Sequence, residues 1–239
     1  MIYAEILSGG IGERFGSKEI PKQYIEIEGK PIIIYTLKNL VDSNLFDKII
    51  ICCKDSFKEY LKSQIKKYFN DVEKIEICDA GNTRNETMMM GCKYIEKNFG
   101  INDNDIVLTI DAVRMFTSKR IIEDNVNMAK KYSAVATFYP VTDTVMESTD
   151  GNIIKSMPIR KNMYQAQAPQ TFNLKKLIKY YNNVSEEDKE FMTDVGKIFF
   201  LNGEDVHMVK GDYKNFKITY KEDIEIAREY LKYYDTTKT

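Results

Sequence analysis

Three of the arginines in this sequence stand where a side chain that binds phosphate would be useful. The chain has six arginines, at positions 14, 84, 114, 120, 160 and 228. Arg14, Arg84 and Arg114 each follow an apolar run that predicts a β-strand, and each precedes or begins a predicted helix. A planar guanidinium group can hold a phosphate or carboxylate with two hydrogen bonds. We therefore predict that these three arginines surround an anionic ligand; the alternative is that they are solvated loop cations.

A glycine-rich loop follows the first predicted strand and carries the first of these arginines. It reads Ser8-Gly9-Gly10-Ile11-Gly12-Glu13-Arg14-Phe15-Gly16, and glycines let backbone N–H groups approach a phosphate closely. Phe15 occupies the third glycine position of a dinucleotide-binding fingerprint, and no Gly-Lys-Ser/Thr ends the loop as in a Walker motif. A plain tight turn is the alternative. Lys22, held by Pro21, follows closely enough to reach the same phosphates.

The elements that must position these residues alternate along the chain. Apolar runs predict strands at Ile2–Leu7, Lys48–Cys53, Lys74–Cys78, Asp105–Ile110 and Ala134–Tyr139. Helical patterns occur at Pro31–Val41, Ser56–Phe69, Asn85–Asn98 and Ser118–Tyr132, the second beginning with a capping box of Ser56 and Glu59. Repeated β-α-β units predict an α/β fold, with a Rossmann-like, doubly wound, mostly parallel sheet. Its loops at the carboxyl edge would carry the arginines.

The alternation stops after Pro140. Residues 143–167 contain turn signals, such as Asp150-Gly151, but no long helical period. We predict a β-arm at about 141–168 that projects from a single domain spanning residues 1–239. Later patterns predict a helix from Leu174, strands at Asp205–Val209 and Phe216–Thr219, and a final helix capped by Thr219 with Glu222.

Composition excludes several classes of protein. A net charge of −1 argues against a protein that coats a nucleic-acid duplex. No apolar stretch approaches the roughly 18 residues of a membrane span, so we predict a cytoplasmic protein without one. The cysteines are predicted to be buried reduced thiols and not a zinc or redox site, since Cys52, Cys53, Cys78 and Cys92 lack C-x-x-C spacing. His207 is the only histidine, and we predict a structural role for it.

Five further motifs appear in order along the chain. They are Gly81-Asn82-Thr83-Arg84-Asn85-Glu86-Thr87, Asp111-Ala112-Val113-Arg114, Asp143-Thr144, Gln167-Ala168-Pro169-Gln170-Thr171-Phe172 and Asn215-Phe216-Lys217-Ile218-Thr219. With the glycine loop and Pro21-Lys22, they resemble the cytidylyltransferases that make CDP-alditols, and the resemblance runs from Ile2 to about Leu231. One branch of that family takes 2-C-methyl-D-erythritol 4-phosphate for isoprenoid synthesis, and the other takes D-ribitol 5-phosphate for teichoic-acid or capsule synthesis. The segments that resemble the ribitol branch more closely are Val145–Gly151, Tyr164–Gln167 and Ser185–Glu190 with Thr193-Asp194.

The resemblance implies a fold of the nucleotide-diphospho-sugar transferase type and a homodimer formed through the arm. It implies that CTP and D-ribitol 5-phosphate react, with Mg²⁺, to give CDP-ribitol and pyrophosphate. The alternatives are the methylerythritol activity and a non-catalytic nucleotide-binding relative.

The resemblance also implies a role for each matched residue. The catalytic residues would be Arg14, Lys22 and Lys217. The nucleotide site would comprise Leu7, Ser8, Gly9, Gly10, Gly12, Gly81, Asn82, Arg84, Thr87, Asp111 and Ala112, with Asp111 beside the Mg²⁺. The alditol phosphate would contact Arg114, Asp143, Thr144 and Arg160. From its position at a strand end, Asp111 is either a metal ligand or a cap of the next turn.

Three positions depart from the family pattern. Ile110 stands where histidine is usual, Met115 where proline is usual, and Ala168 where threonine is usual. The charged groups of Asp111 and Arg114 are retained, so we expect binding and catalysis to persist. Ala168 lacks the hydroxyl group of threonine. We expect this loss to change the affinity for the alditol phosphate or the selection among alditol phosphates.

Overall fold

A computed structural model describes residues 1–12, 15–16, 20–191 and 194–236. Its strands are β1 (Ile2–Ser8), β2 (Glu26–Ile27), β3 (Lys30–Pro31), β4 (Lys48–Cys53), β5 (Ile75–Asp79), β6 (Ile106–Asp111), β7 (Ala134–Pro140), β8 (Tyr164–Asn173) and β9 (His207–Lys210). Its α-helices are α1 (Ile32–Ser43), α2 (Lys58–Tyr68), α3 (Arg84–Phe99), α4 (Lys119–Ala129), α5 (Leu174–Asn183), α6 (Glu186–Phe191), α7 (Gly196–Leu201) and α8 (Glu222–Thr236). None of the helices in these residues combines the length and the apolar character needed to cross a membrane.

The main sheet has seven strands in the order β5-β4-β1-β6-β8-β7-β9. The pairs β4–β5, β1–β4, β1–β6 and β7–β9 are parallel, whereas β8 runs antiparallel to both of its neighbours. The predicted α/β fold with a mostly parallel sheet is therefore confirmed. From β1 the chain moves first to β4 on one side and later to β6 on the other, which is the arrangement that opens a ligand crevice at the carboxyl edge.

Helices cover both faces of this sheet. One apolar cluster packs α1, α2 and α4 against β1, β4 and β6. The other packs α3, α5 and α7 against the opposite face. The central strands are apolar almost throughout because both of their faces are buried.

Three predictions about helix caps and strands are wrong. Ser56 lies inside a short 3-10 turn, Asp55–Phe57, so α2 begins only at Lys58 and has no side-chain cap. Residues 216–219 do not form a strand, because they run beside the loop after β6 and share with it only the bond from Ile218 N to Val113 O, 3.2 Å. The predicted cap of α8 by Thr219 with Glu222 is not formed. Instead, the side chain of Asp223 accepts hydrogen bonds from the N–H groups of Thr219 and Tyr220.

The segment between β7 and β8 corresponds to the predicted arm, but the sheet resumes earlier than expected. Residues 141–163 contain one isolated antiparallel bridge, Glu147 to Ser156, and one 3-10 turn, Arg160–Asn162. β8 already begins at Tyr164, so the last residues assigned to the arm pair with β7. Several large apolar side chains of the segment are exposed, namely Met146, Ile153, Ile154, Met157 and Ile159.

The cysteines are buried, and the single histidine packs against an aromatic ring. All four cysteines are free and buried, as predicted. Within the described residues, no group of three or more His, Cys, Asp or Glu side chains is arranged to hold a metal ion. His207 lies in β9 and stacks on Tyr132 at 3.5 Å between ring centroids.

Glu5 is a buried acid in the middle of β1. It is 0% exposed, and neither of its carboxylate oxygens has a hydrogen-bond partner among the described residues. The lack of a side chain at Gly91 makes room for it, since a Cβ there would lie 2.6 Å from Glu5 Oε1. Burial raises the pKa of Glu5 well above its usual value of 4.5.

Replacing Glu5 by glutamine is expected to stabilise the protein, increasingly so as pH rises. Because the folded-state pKa lies above the unfolded value, wild-type stability falls as pH rises through 4.5, whereas the amide of the Glu5→Gln variant stays neutral. Urea unfolding at pH 8 should therefore show a higher free energy of unfolding for the variant than for wild type. The gain should shrink towards pH 4. Glu96→Gln, at an exposed position of α3, is the control, and a gain that does not change with pH would contradict the account.

Candidate active site

A cavity of about 440 Å³ opens at the carboxyl edge of the sheet, beside the glycine loop. It is bounded by the loop after β1, the start of α3 and the end of β6. Eleven of the predicted site residues line it: Leu7, Gly9, Gly10, Gly12, Lys22, Asn82, Arg84, Thr87, Asp111, Ala112 and Lys217. Two predicted residues support this wall without lining it. The Ser8 hydroxyl lies 3.1 Å from the Tyr24 hydroxyl, and the Gly81 carbonyl accepts a hydrogen bond from Thr87 Oγ1 at 3.3 Å.

Asp111 is the electrostatic centre of this edge. Its Oδ1 lies 3.2 Å from Arg84 Nε, and its Oδ2 lies 3.4 Å from Arg114 Nε and 3.1 Å from Lys217 Nζ. Burial by itself would raise the pKa of Asp111, but the three cations hold that pKa well below its usual range. The carboxylate is therefore ionised, and the cluster of one anion and three cations carries a net positive charge.

These contacts exclude one of the two interpretations of Asp111. Its carboxylate accepts from cationic side chains and, within the described residues, from no backbone N–H group. Asp111 is thus not a helix or turn cap. The structure brings Arg84 and Arg114 together on one carboxylate, as the loop positions predict, whereas Arg14 lies outside the described residues.

Local backbone features explain why these loops approach one another. A Cβ at Gly9 would lie 2.6 Å from Ala80 Cβ, and one at Gly81 would lie 2.8 Å from the backbone of Glu86. Only glycine fits either position. Thr83 caps α3 by accepting a hydrogen bond from Glu86 N at 3.1 Å, which fixes Arg84 at the first turn of the helix.

A second cavity of about 290 Å³ adjoins the first. The two share Arg84, Asp111 and Lys217. The rest of the second cavity is lined by Arg114, Ala166, Gln167, Ala168, Gln170 and Asp194. It therefore has cations at the shared end and amide and carboxylate groups at the other.

Asn215 links two residues that line the second cavity, Arg114 and Ala168. Asn215 was not among the site residues predicted from the sequence. Its carbonyl accepts from Arg114 Nη1 at 2.7 Å, and its side-chain amide donates to the carbonyl of Ala168 at 2.8 Å. Thr117 Oγ1 donates to Asn215 Oδ1 at 2.7 Å. The only signal in the sequence is that Asn215 stands two residues before Lys217 in the same motif.

Three predicted residues are not brought to either cavity of their own chain. Asp143, Thr144 and Arg160 lie on the exposed arm, where Arg160 Nη1 donates to the carbonyl of Thr142 at 3.1 Å. Their contact with an alditol phosphate stays a prediction.

The three departures from the family pattern fall into two kinds. Ile110 and Met115 are buried in apolar clusters and line neither cavity. Ala168 is buried in the same cluster as Ile110, at 3% exposed, but it also lines the second cavity. The first two therefore change packing behind the site, and the third changes the surface that a ligand would meet.

The lining of the first cavity fits a magnesium ion shared with a polyphosphate. Mg²⁺ in phosphate-transferring sites takes one or two carboxylates and completes its shell with phosphate oxygens and water. Asp111 is the single carboxylate that lines this cavity among the described residues. Because both of its oxygens contact cations, it would hold the ion together with the ligand only by exchanging one of these contacts for the metal.

Comparison with known proteins agrees with this geometry. The family model of IspD, 2-C-methyl-D-erythritol 4-phosphate cytidylyltransferase, matches residues 2–233. The chain is 30% identical to the Francisella tularensis IspD crystal structure, covering 95% of this chain and 97% of that one with a TM-score of 0.78. It is 28% identical to 4-diphosphocytidyl-2C-methyl-D-erythritol synthase from Anaerococcus prevotii, covering 97% and 98% with a TM-score of 0.80.

A more distant structure shows the fold alone. The chain is 18% identical to 2-C-methyl-D-erythritol 4-phosphate cytidylyltransferase from Thermus thermophilus, covering 96% and 98% with a TM-score of 0.71. The sequence motifs favoured the ribitol branch, but the family match and the two more similar structures favour its sister branch. The chain belongs to the IspD family of CTP-dependent cytidylyltransferases.

Proposed function

We propose that this enzyme joins CTP and 2-C-methyl-D-erythritol 4-phosphate to give a CDP-alditol and pyrophosphate, as a step of isoprenoid synthesis. The observation that carries the proposal is the junction of two cavities at Arg84, Asp111 and Lys217. The larger cavity, beside the glycine loop, takes the nucleotide. The smaller one takes the alditol phosphate, so that the two phosphates to be joined meet at the shared residues.

The reaction needs little from a general base. An oxygen of the acceptor phosphate forms a bond to the α-phosphorus of CTP, while the bond from that phosphorus to the bridging oxygen breaks. The bridging oxygen leaves with both electrons of that bond as part of pyrophosphate. Because the attacking oxygen is already anionic, no proton has to be removed, and His207 has no part in the step.

The barrier is electrostatic, because two anions must approach and charge develops on the leaving oxygen. Lys22, Lys217 and Arg84 line the nucleotide cavity. In this proposal Arg14, which belongs to the glycine loop, joins them. Lys217 lies at the junction and contacts the α-phosphate. Asp111 would hold a Mg²⁺ ion, which would supply further positive charge to the phosphate oxygens.

The second cavity suits an alditol phosphate. Arg114 lies at its cationic end and binds the phosphate. The carboxylate of Asp194 accepts hydrogen bonds from the hydroxyl groups, and the amide of Gln167 can accept from them or donate to them. We propose that the enzyme is a homodimer and that the partner's arm brings Asp143, Thr144 and Arg160 to this cavity. The exposed apolar side chains of the arm support an interface there.

D-Ribitol 5-phosphate is the second candidate acceptor. It is favoured by the segments 145–151, 164–167 and 185–190, which resemble the ribitol branch. Pyrophosphate release with CTP and Mg²⁺ should be measured side by side for the two alditol phosphates. The proposal requires a higher kcat/KM for the methylerythritol substrate; a higher value for ribitol phosphate would reassign the acceptor, and no release with either would reject the activity.

Ala168→Thr tests the acceptor cavity. A threonine hydroxyl at this wall offers the acceptor one more hydrogen bond, so kcat/KM for the preferred alditol phosphate should rise about two- to tenfold. The KM for CTP should stay unchanged, since Ala168 does not line the nucleotide cavity. A variant that alters the KM for CTP and not that for the acceptor would contradict the assignment of the two cavities.

A further inference from the structure

Gln23 lies beneath the glycine loop and holds two of its carbonyl groups. It is 4% exposed and sits in the short 3-10 turn Lys22–Tyr24, directly after Pro21. Its Nε2 donates to the carbonyl of Ser8 and to that of Gly10, each at 2.9 Å. Both hydrogens of one amide nitrogen are thus used on the loop.

These two bonds also orient the N–H groups of the loop. In a trans peptide the C=O and the N–H point in opposite directions. The carbonyl of Ser8 shares a peptide unit with the N–H of Gly9, and that of Gly10 shares one with the N–H of Ile11. Because both carbonyls are fixed on the side of Gln23, the N–H groups of Gly9 and Ile11 face away from it. Within the described residues, neither N–H donates a hydrogen bond to the protein.

The loop needs such a constraint because its glycines leave many backbone conformations open. Gly9 and Ile11 both line the larger cavity. A rotated peptide would direct a carbonyl oxygen instead of an N–H group towards a phosphate, and the two would repel each other. An amide side chain can hold both carbonyls, whereas an ionised glutamate could accept but not donate, and leucine could do neither.

We propose that Gln23 is a positioning residue that keeps the glycine loop in its anion-binding form. It thereby sets the affinity for the triphosphate of the nucleotide and not the affinity for the acceptor phosphate, which binds in the other cavity. This inference rests on the proposed function only in taking the larger cavity as the triphosphate site.

The test compares Gln23→Leu and Gln23→Glu with wild type by calorimetric titration of CTP and of inorganic tripolyphosphate. Loss of the two hydrogen bonds should weaken both ligands at least about tenfold. Tripolyphosphate should follow CTP because the loop meets phosphate and not the base. At saturating CTP, the KM for the alditol phosphate should stay within about twofold of wild type.

Asn125→Leu is the matched control. Asn125 is also buried, and its amide donates two hydrogen bonds, to the carbonyl of Ile121 at 2.9 Å and to Thr137 Oγ1 at 2.8 Å. It lies in α4, where it contacts β7, and it lines neither cavity. If Gln23 had a structural role alone, its variants would behave like Asn125→Leu. They would show a lower melting temperature and an unchanged affinity for CTP.

The outcomes separate the two claims. CTP affinity within twofold of wild type in either folded Gln23 variant, or an equal loss in Asn125→Leu, overturns the inference and leaves the proposed function intact. Wild-type protein that binds neither CTP nor tripolyphosphate overturns both.

Discussion

Replacing Lys217 by methionine is expected to lower kcat/KM for pyrophosphate release by about 10²–10³, the usual effect of removing one electrostatic contact to a transition state. Lys217 lines both cavities, and its Nζ lies 3.1 Å from Asp111 Oδ2. No other lysine is shared by the two cavities among the described residues. Methionine keeps much of the aliphatic volume, so the loss should appear in turnover and not in folding.

Lys221→Met is the control for this prediction. Lys221 is exposed at the residue before α8 and lines neither cavity. Its replacement should leave kcat/KM within about twofold of wild type. Equal losses in both variants would mean that general surface charge, and not the junction of the cavities, attracts the substrates.

Asp111→Asn is expected to remove most of the activity and to destabilise the fold as well. The carboxylate is the shared partner of Arg84, Arg114 and Lys217, and Arg114 is only 8% exposed. Removing one partner of a buried ion pair leaves the other charge uncompensated and costs about 3 kcal/mol. Steady-state kinetics should show a loss of at least about 10² in kcat, and urea unfolding should show the loss of stability.

Asp79→Asn is the matched control, because Asp79 also ends a strand of the sheet and pairs with a cation, Lys58. The Asp79 side chain is 58% exposed, so its ion pair should contribute at most about 1 kcal/mol. Turnover within tenfold of wild type in Asp111→Asn would contradict the central role given to this carboxylate.

The fold was predictable where burial dominates the sequence. β1, β4 and β6 are apolar on both faces, so their runs stand out against the polar loops. β8 was not predicted as a strand, because its first residues are exposed while the later ones are buried, and no single apolar run marks it. Its place between β6 and β7 depends on long-range pairing that no local pattern encodes.

The charged part of the site was also predictable, because residue type and position carried the signal. Arg84 and Arg114 follow strands whose carboxyl ends must share an edge, and so they converge. The roles of Gln23 and Asn215 were not predictable, since an amide side chain has no pattern of its own. Only the distances to the carbonyl groups of Ser8, Gly10 and Ala168 reveal what the two amides hold.

The central claim is that a nucleotide and an alditol phosphate react where the two cavities meet. Phosphorus NMR of wild-type protein with CTP, Mg²⁺ and 2-C-methyl-D-erythritol 4-phosphate tests it directly. We expect one pyrophosphate to be released for each new P–O–P linkage. This linkage joins the phosphorus of the acceptor to the phosphorus of the CMP group. Unchanged acceptor and CTP, or hydrolysis of CTP without that linkage, would contradict it.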